Sequence, residues 1–65
     1  MKMMVVTYAN SGGNRAGRVT INPMDVSRIM AGGKSGSHIV FTSGSIIEVA
    51  QSPDLVTSLW EKAVE

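Results

Sequence analysis

The chain reads as short β-type segments separated by turns and followed by one helix-type segment. Residues 3–9, Met-Met-Val-Val-Thr-Tyr-Ala, are rich in β-branched and aromatic types and predict a first strand. Alternation resumes over residues 18–22. Over residues 26–31, Val26, Arg28 and Met30 alternate with Ser27, Ile29 and Ala31, which suits a half-buried strand better than a helix of six residues. Between these segments, Asn22-Pro23-Met24-Asp25 is a turn: proline presets φ at the second position and Asn22 can bond to its own backbone.

Residues 38–42 and 45–50 predict a hairpin, with Ser43-Gly44 as a two-residue turn. That register pairs Phe41 with Ile46 and Val40 with Ile47, and leaves apolar side chains on both faces. A three-residue loop with a bulge would instead gather Ile39, Phe41, Ile47 and Val49 on one face. The first register is the one expected. The last segment opens with Ser52 at an N-cap, Pro53 at the first helical position and Asp54 at the positive end of the dipole. Leu55, Val56, Leu59, Trp60, Ala63 and Val64 recur at helical spacing, opposite Thr57, Ser58, Glu61, Lys62 and Glu65, so a helix over 53–64 should pack one face on the sheet. Leu55, Leu59 and Trp60 are the expected anchors. The expected fold is one α+β domain over 1–65, with an antiparallel sheet of four to five strands and a C-terminal amphipathic helix on one face.

Composition adds a stability problem. A chain of 65 residues has room for one small core, and a core of this size supplies only roughly 3–5 kcal/mol. There is no cysteine to staple it. His38 is the only imidazole, and the five carboxylates lack metal-ligand spacing. Association with further copies is the remaining device. The charged fraction of 17% is low for so small a protein, which agrees with part of the exterior being covered. No stretch approaches the about 20 apolar residues that span a bilayer, and residues 1–9 lack the hydrophobic run of a signal peptide, so a cytoplasmic protein is expected.

Net charge is +1, which disfavours a dedicated duplex DNA binder. Its distribution is uneven. Lys2, Arg15, Arg18, Arg28 and Lys34 face only Asp25 within residues 1–47, whereas Glu48, Asp54, Glu61 and Glu65 face only Lys62 thereafter. The basic part contains two glycine-rich loops, residues 10–17 and residues 32–37. Backbone amides in such turns form anion-binding nests, and arginine grips phosphate oxygens through a bidentate fork. Asn14, Arg15 and Arg18 on the first loop, Lys34, Ser35, Ser37 and His38 on the second, and Tyr8 as a stacking ring form the candidate ligand set.

From Ile21 onward the pattern resembles the FlbD family of small flagellar motility proteins. The residues concerned are Ile21-Asn22-Pro23 with Val26 and Ile29, Ile39-Val40-Phe41-Thr42-Ser43-Gly44-Ser45, Ile46-Ile47-Glu48-Val49, and Ser52-Pro53-Asp54-Leu55-Val56. The same rhythm is similar to part of the LytTR DNA-binding fold. The first resemblance implies a non-enzymatic accessory acting by protein contact, the second a nucleic-acid binder with steep salt dependence.

No catalytic set is assembled. A nucleophile with its base, a carboxylate pair or a metal centre would be needed, and His38 beside Ser35, Ser37 and Thr42 is too common a grouping in a serine-rich chain to count as one. Gly33-Lys34-Ser35-Gly36-Ser37 is like the end of a phosphate-binding loop but lacks the upstream glycine and the following helix, so nucleotide hydrolysis is not expected. The sequence therefore points to a small non-enzymatic oligomer that sequesters a nucleotide or cyclic nucleotide and needs no cofactor.

Overall fold

The computed structural model describes residues 2–9, 17–33 and 35–65. Strands β1 (Met4–Thr7), β2 (Arg18–Ile21), β3 (Val26–Ala31), β4 (Ser37–Phe41) and β5 (Ile46–Val49) precede helix α1 (Pro53–Val64), so the fold is α+β. The five strands form two antiparallel sheets, β1-β2 and β3-β4-β5, where the sequence suggested one. Among the described residues the two sheets are joined along their backbones where Tyr8 bridges Val49 and the Ala50 N–H donates to Thr7 O at 2.8 Å. Ser52 caps α1 three residues after β5 ends, which leaves β5 no length to continue a ladder along β1.

The turn at Asn22 tightens into a 3-10 helix, Pro23–Asp25, whose first free amide is satisfied by Asn22 Oδ1 accepting from the Met24 N–H at 3.0 Å. In β3 the pairing with β4 shifts between Val26 and Arg28. Ser27 is the extra residue of this bulge. It breaks strict alternation and turns both Val26 and Ile29 inward, opposite Phe41 and Ile39.

The β4-β5 hairpin has the three-residue loop, not the two-residue turn. Val40 pairs with Ile46 and Ile39 with Ile47; the Phe41 N–H donates to Ser45 O at 2.8 Å and the Gly44 N–H to Phe41 O at 2.9 Å. Gly44 supplies the positive φ of 94° that this loop requires. The register follows from burial. It places Ile39, Phe41, Ile47 and Val49 on the inner face, and Ile46 alone of the large apolar residues of β5 is left to solvent.

The core lies between the two sheets and α1. Met4, Val6, Ile21, Val26, Ile39, Val49, Val56 and Ala63 are buried, with Val19, Ile29, Phe41, Ile47, Leu59 and Trp60 packed around them. Ser52 Oγ accepts from the Leu55 N–H at 3.3 Å, as an N-cap does. The buried stripe of the helix is Val56, Leu59, Trp60 and Ala63. Leu55 was an expected anchor, but it is 49% exposed: it stands one position off that stripe, on the flank facing solvent. Trp60 does anchor the helix, through its indole N–H donating to Pro23 O at 3.0 Å. Among the described residues no helix is long and apolar enough to cross a membrane.

Candidate functional site

The described candidate residues gather around the end of β5. Tyr8 bridges Val49 from one side, its N–H donating to Gly17 O at 2.9 Å, so it marks the root of the first loop. Arg18 opens β2 opposite Thr7 and is exposed beside that root. From the other side, Ser37 pairs with Val49 and His38 with Glu48. The second loop closes on itself, with the Gly32 N–H donating to Gly36 O at 2.9 Å and the Gly36 N–H to Gly33 O at 3.1 Å. Ser35 is exposed in that turn. Asn14, Arg15 and Lys34 lie outside the described residues.

Ser37 is placed differently from the rest. It is fully buried, and its hydroxyl donates to Gln51 O at 2.6 Å. Gln51 in turn accepts from the Thr7 N–H at 3.0 Å through Oε1 and donates through Nε2 to Thr7 Oγ1 at 3.2 Å. This polar staple holds β1, β4 and the β5-α1 connection together, so the serine hydroxyl is engaged in holding the loop root.

The residue that sequence reasoning missed is Glu48. Its Oε2 lies 3.4 Å from His38 Nε2, an ion pair whenever the imidazole is protonated. The same oxygen would sit 3.6 Å from a Cβ built on Gly33, so Gly33 of the second loop lies beside this carboxylate. In the two-residue register His38 would face Val49; the observed three-residue loop is what brings it to Glu48. The signal was therefore present in the hairpin loop, at Gly44.

A cavity of about 210 Å³ opens beside the pair, lined by Tyr8, Ala9, Ile47 and Glu48. It is bordered by one aromatic, two apolar and one acidic residue. A larger space, about 360 Å³, lies between the 3-10 helix and α1, lined by Pro23, Met24, Val26, Trp60, Glu61 and Val64. Each has an acid as its only charged lining residue, so an anion has nothing to bind inside either. The smaller cavity adjoins the described ends of the two loops, at Ala9 and beside Gly33. Among the described residues no group of three His, Cys, Asp or Glu side chains could hold a metal ion. In comparisons with known proteins, no family model, curated protein or solved structure matches this chain.

Proposed function

We propose that this chain is a small self-associating binding protein without catalytic activity, which captures a phosphate-bearing ligand of nucleotide type at the roots of its two glycine-rich loops. One observation carries the reading. Glu48 and Val49 are flanked on one side by Tyr8 and Ala9, where the first loop begins, and on the other by Gly33, Gly36 and His38 of the second. Loops far apart in sequence thus share one rim, and Arg15 and Lys34 belong to those loops. Arg18, exposed beside the first of those roots, offers an anion charge-assisted hydrogen bonds.

Self-association belongs to this reading because apolar side chains remain uncovered. Met24 is 61% exposed, Ile46 57% and Val64 47%, in a chain with little core to spare. Sedimentation at micromolar concentration is expected to give a mass above that of one chain. A compact, folded monomer removes this part of the proposal.

Thermal melts with nucleotides and cyclic dinucleotides test the ligand. Ligand at 100 times its Kd stabilises the native state by about 2.7 kcal/mol, a Tm rise on the order of 10–20 °C for a domain of this size. Arg15→Ala or Lys34→Ala is expected to remove most of that rise. If both variants respond as the parent does, the loops are not the site. A second reading, a protein-contact accessory such as the FlbD resemblance implies, is favoured by the groove between the 3-10 helix and α1. It expects no response to any nucleotide and a single chain in solution.

A further inference from the structure

We infer that two copies of this chain join along the free edge of β3, strand to strand and antiparallel, with Met30 at the centre; this deepens the reading of the chain as self-associating and rests on it. β3 stands at the end of the order β3-β4-β5, so one of its edges has no neighbouring strand among the described residues. What that edge offers follows from the ladder on its other side. The Thr42 N–H donates to Asp25 O at one end of this ladder and the Gly32 N–H to Gly36 O at the other. Hydrogen-bonded and non-hydrogen-bonded pairs alternate in an antiparallel ladder, so these two bonds set the pairs between them, and counted across the Ser27 bulge both ends agree. Arg28 and Met30 turn their N–H and C=O groups to Val40 and His38. Ile29 and Ala31, opposite Ile39 and Ser37, turn theirs outward.

Outward backbone groups in a row are a template for another strand. Proline, lysine or another charge commonly blunts such an edge, and Ile29-Met30-Ala31 carries none of them. The strand is its own complement. With Met30 facing Met30 across a twofold axis, Ile29 of each copy meets Ala31 of the other, and both residues exchange their N–H and C=O bonds. Met30, 36% exposed in the single chain, is covered by its counterpart. Charge favours the same register. The two Arg28 residues then stand four residues of rise apart, roughly 14 Å, which exceeds the Debye length at physiological salt; centring on Ile29 would halve that distance. The product is a continuous sheet in which β5-β4-β3 of one copy runs into β3-β4-β5 of the other.

Ala31→Pro tests the edge. Proline removes the N–H that points outward and no bond of the β3-β4 ladder, so the variant keeps its fold. Sedimentation over a range of concentrations is expected to show a dissociation constant raised on the order of tenfold or more, since each copy loses a donor. Met30→Cys tests the register: the chain has no cysteine, and Cα atoms about 4.5 Å apart across a non-hydrogen-bonded pair suit a disulfide. On air oxidation it is expected to form a covalent dimer faster than Met24→Cys, although Met24 is the more exposed side chain. A parent chain that stays single overturns self-association and this pairing together. If the parent associates and the folded Ala31→Pro variant associates as tightly, the edge is wrong while self-association stands. Should the proline variant prove unfolded by circular dichroism, Met30→Cys decides alone: cross-linking no faster than that of Met24→Cys overturns the pairing.

Discussion

Trp60→Ala is expected to lower the unfolding free energy by about 3 kcal/mol, the lower end of the range for truncating a large aromatic residue. The lower end applies because Trp60 is half-buried and not enclosed. Two losses add. The ring packs on the core beside Val56, Leu59 and Ala63, and its indole N–H is the donor to Pro23 O at 3.0 Å that ties α1 to the 3-10 helix between β2 and β3. For a domain of 60–100 residues, 3 kcal/mol corresponds to roughly 12–24 °C in Tm. That is a large share of what a chain this short can possess. Trp60→Phe separates the two terms: it keeps most of the packing, loses the N–H, and should cost about 1 kcal/mol for the hydrogen bond with a smaller packing loss added. Chemical denaturation at one fixed protein concentration reads both. A Trp60→Ala loss under about 1 kcal/mol would mean that α1 is held by something other than this anchor.

Gly36→Ala is the second large effect, expected at about 3 kcal/mol, the upper end of the range for overpacking. A Cβ at this position would collide with Val49 O, a backbone atom with no rotamer to escape into. Nor can Gly36 withdraw, because its N–H and its carbonyl both bond within the turn, to Gly33 and Gly32. Val49 is fully buried and pairs with Ser37, so displacing it disturbs the staple through Gln51 as well. Two glycines serve as internal controls. Gly33→Ala meets only the far end of the Glu48 side chain at 3.6 Å and should be nearly neutral. Gly44→Ala meets nothing within 4 Å but must adopt φ near +94°, which costs about 1–2 kcal/mol. If Gly36→Ala unfolds no more easily than Gly33→Ala, the close approach of the second loop to β5 is wrong, and the shared rim of the two loops goes with it.

The local devices were legible because they are built from neighbours in the chain. Ser52 with Pro53 and Asp54 marks the helix start to the residue, and Asn22-Pro23 marks the tight turn, since capping and φ preference act over three or four positions. The five strands appear close to their expected bounds for the same reason. Reading failed where two local solutions compete with similar energy. Thr42-Ser43-Gly44 as a three-residue loop and Ser43-Gly44 as a two-residue turn satisfy the same glycine, and the choice between them is made by the core, which takes Ile39, Phe41, Ile47 and Val49 together on one face. Leu55 illustrates the same limit on a helix. A stripe six residues wide is readable from spacing, but which edge of it meets the sheets depends on where Pro23 and β3 stand.

The candidate site divides along that line too. Glycine-rich loops bearing Arg15 and Lys34 are visible as composition, since flexible backbone and fixed charge are properties of the segments themselves. Their common rim is not, because it depends on Tyr8 reaching Val49 across forty-one residues, and on a register one residue away from the expected one. That single step set Glu48, not Val49, opposite His38. Residue order alone dictated the elements, their caps and the class of fold, through forces that act within a few bonds. Tertiary packing alone decided the pairing of strands, the splitting of the sheet and the carboxylate at the loop roots, because burial of apolar surface is shared by the whole chain and cannot be assigned to any segment beforehand.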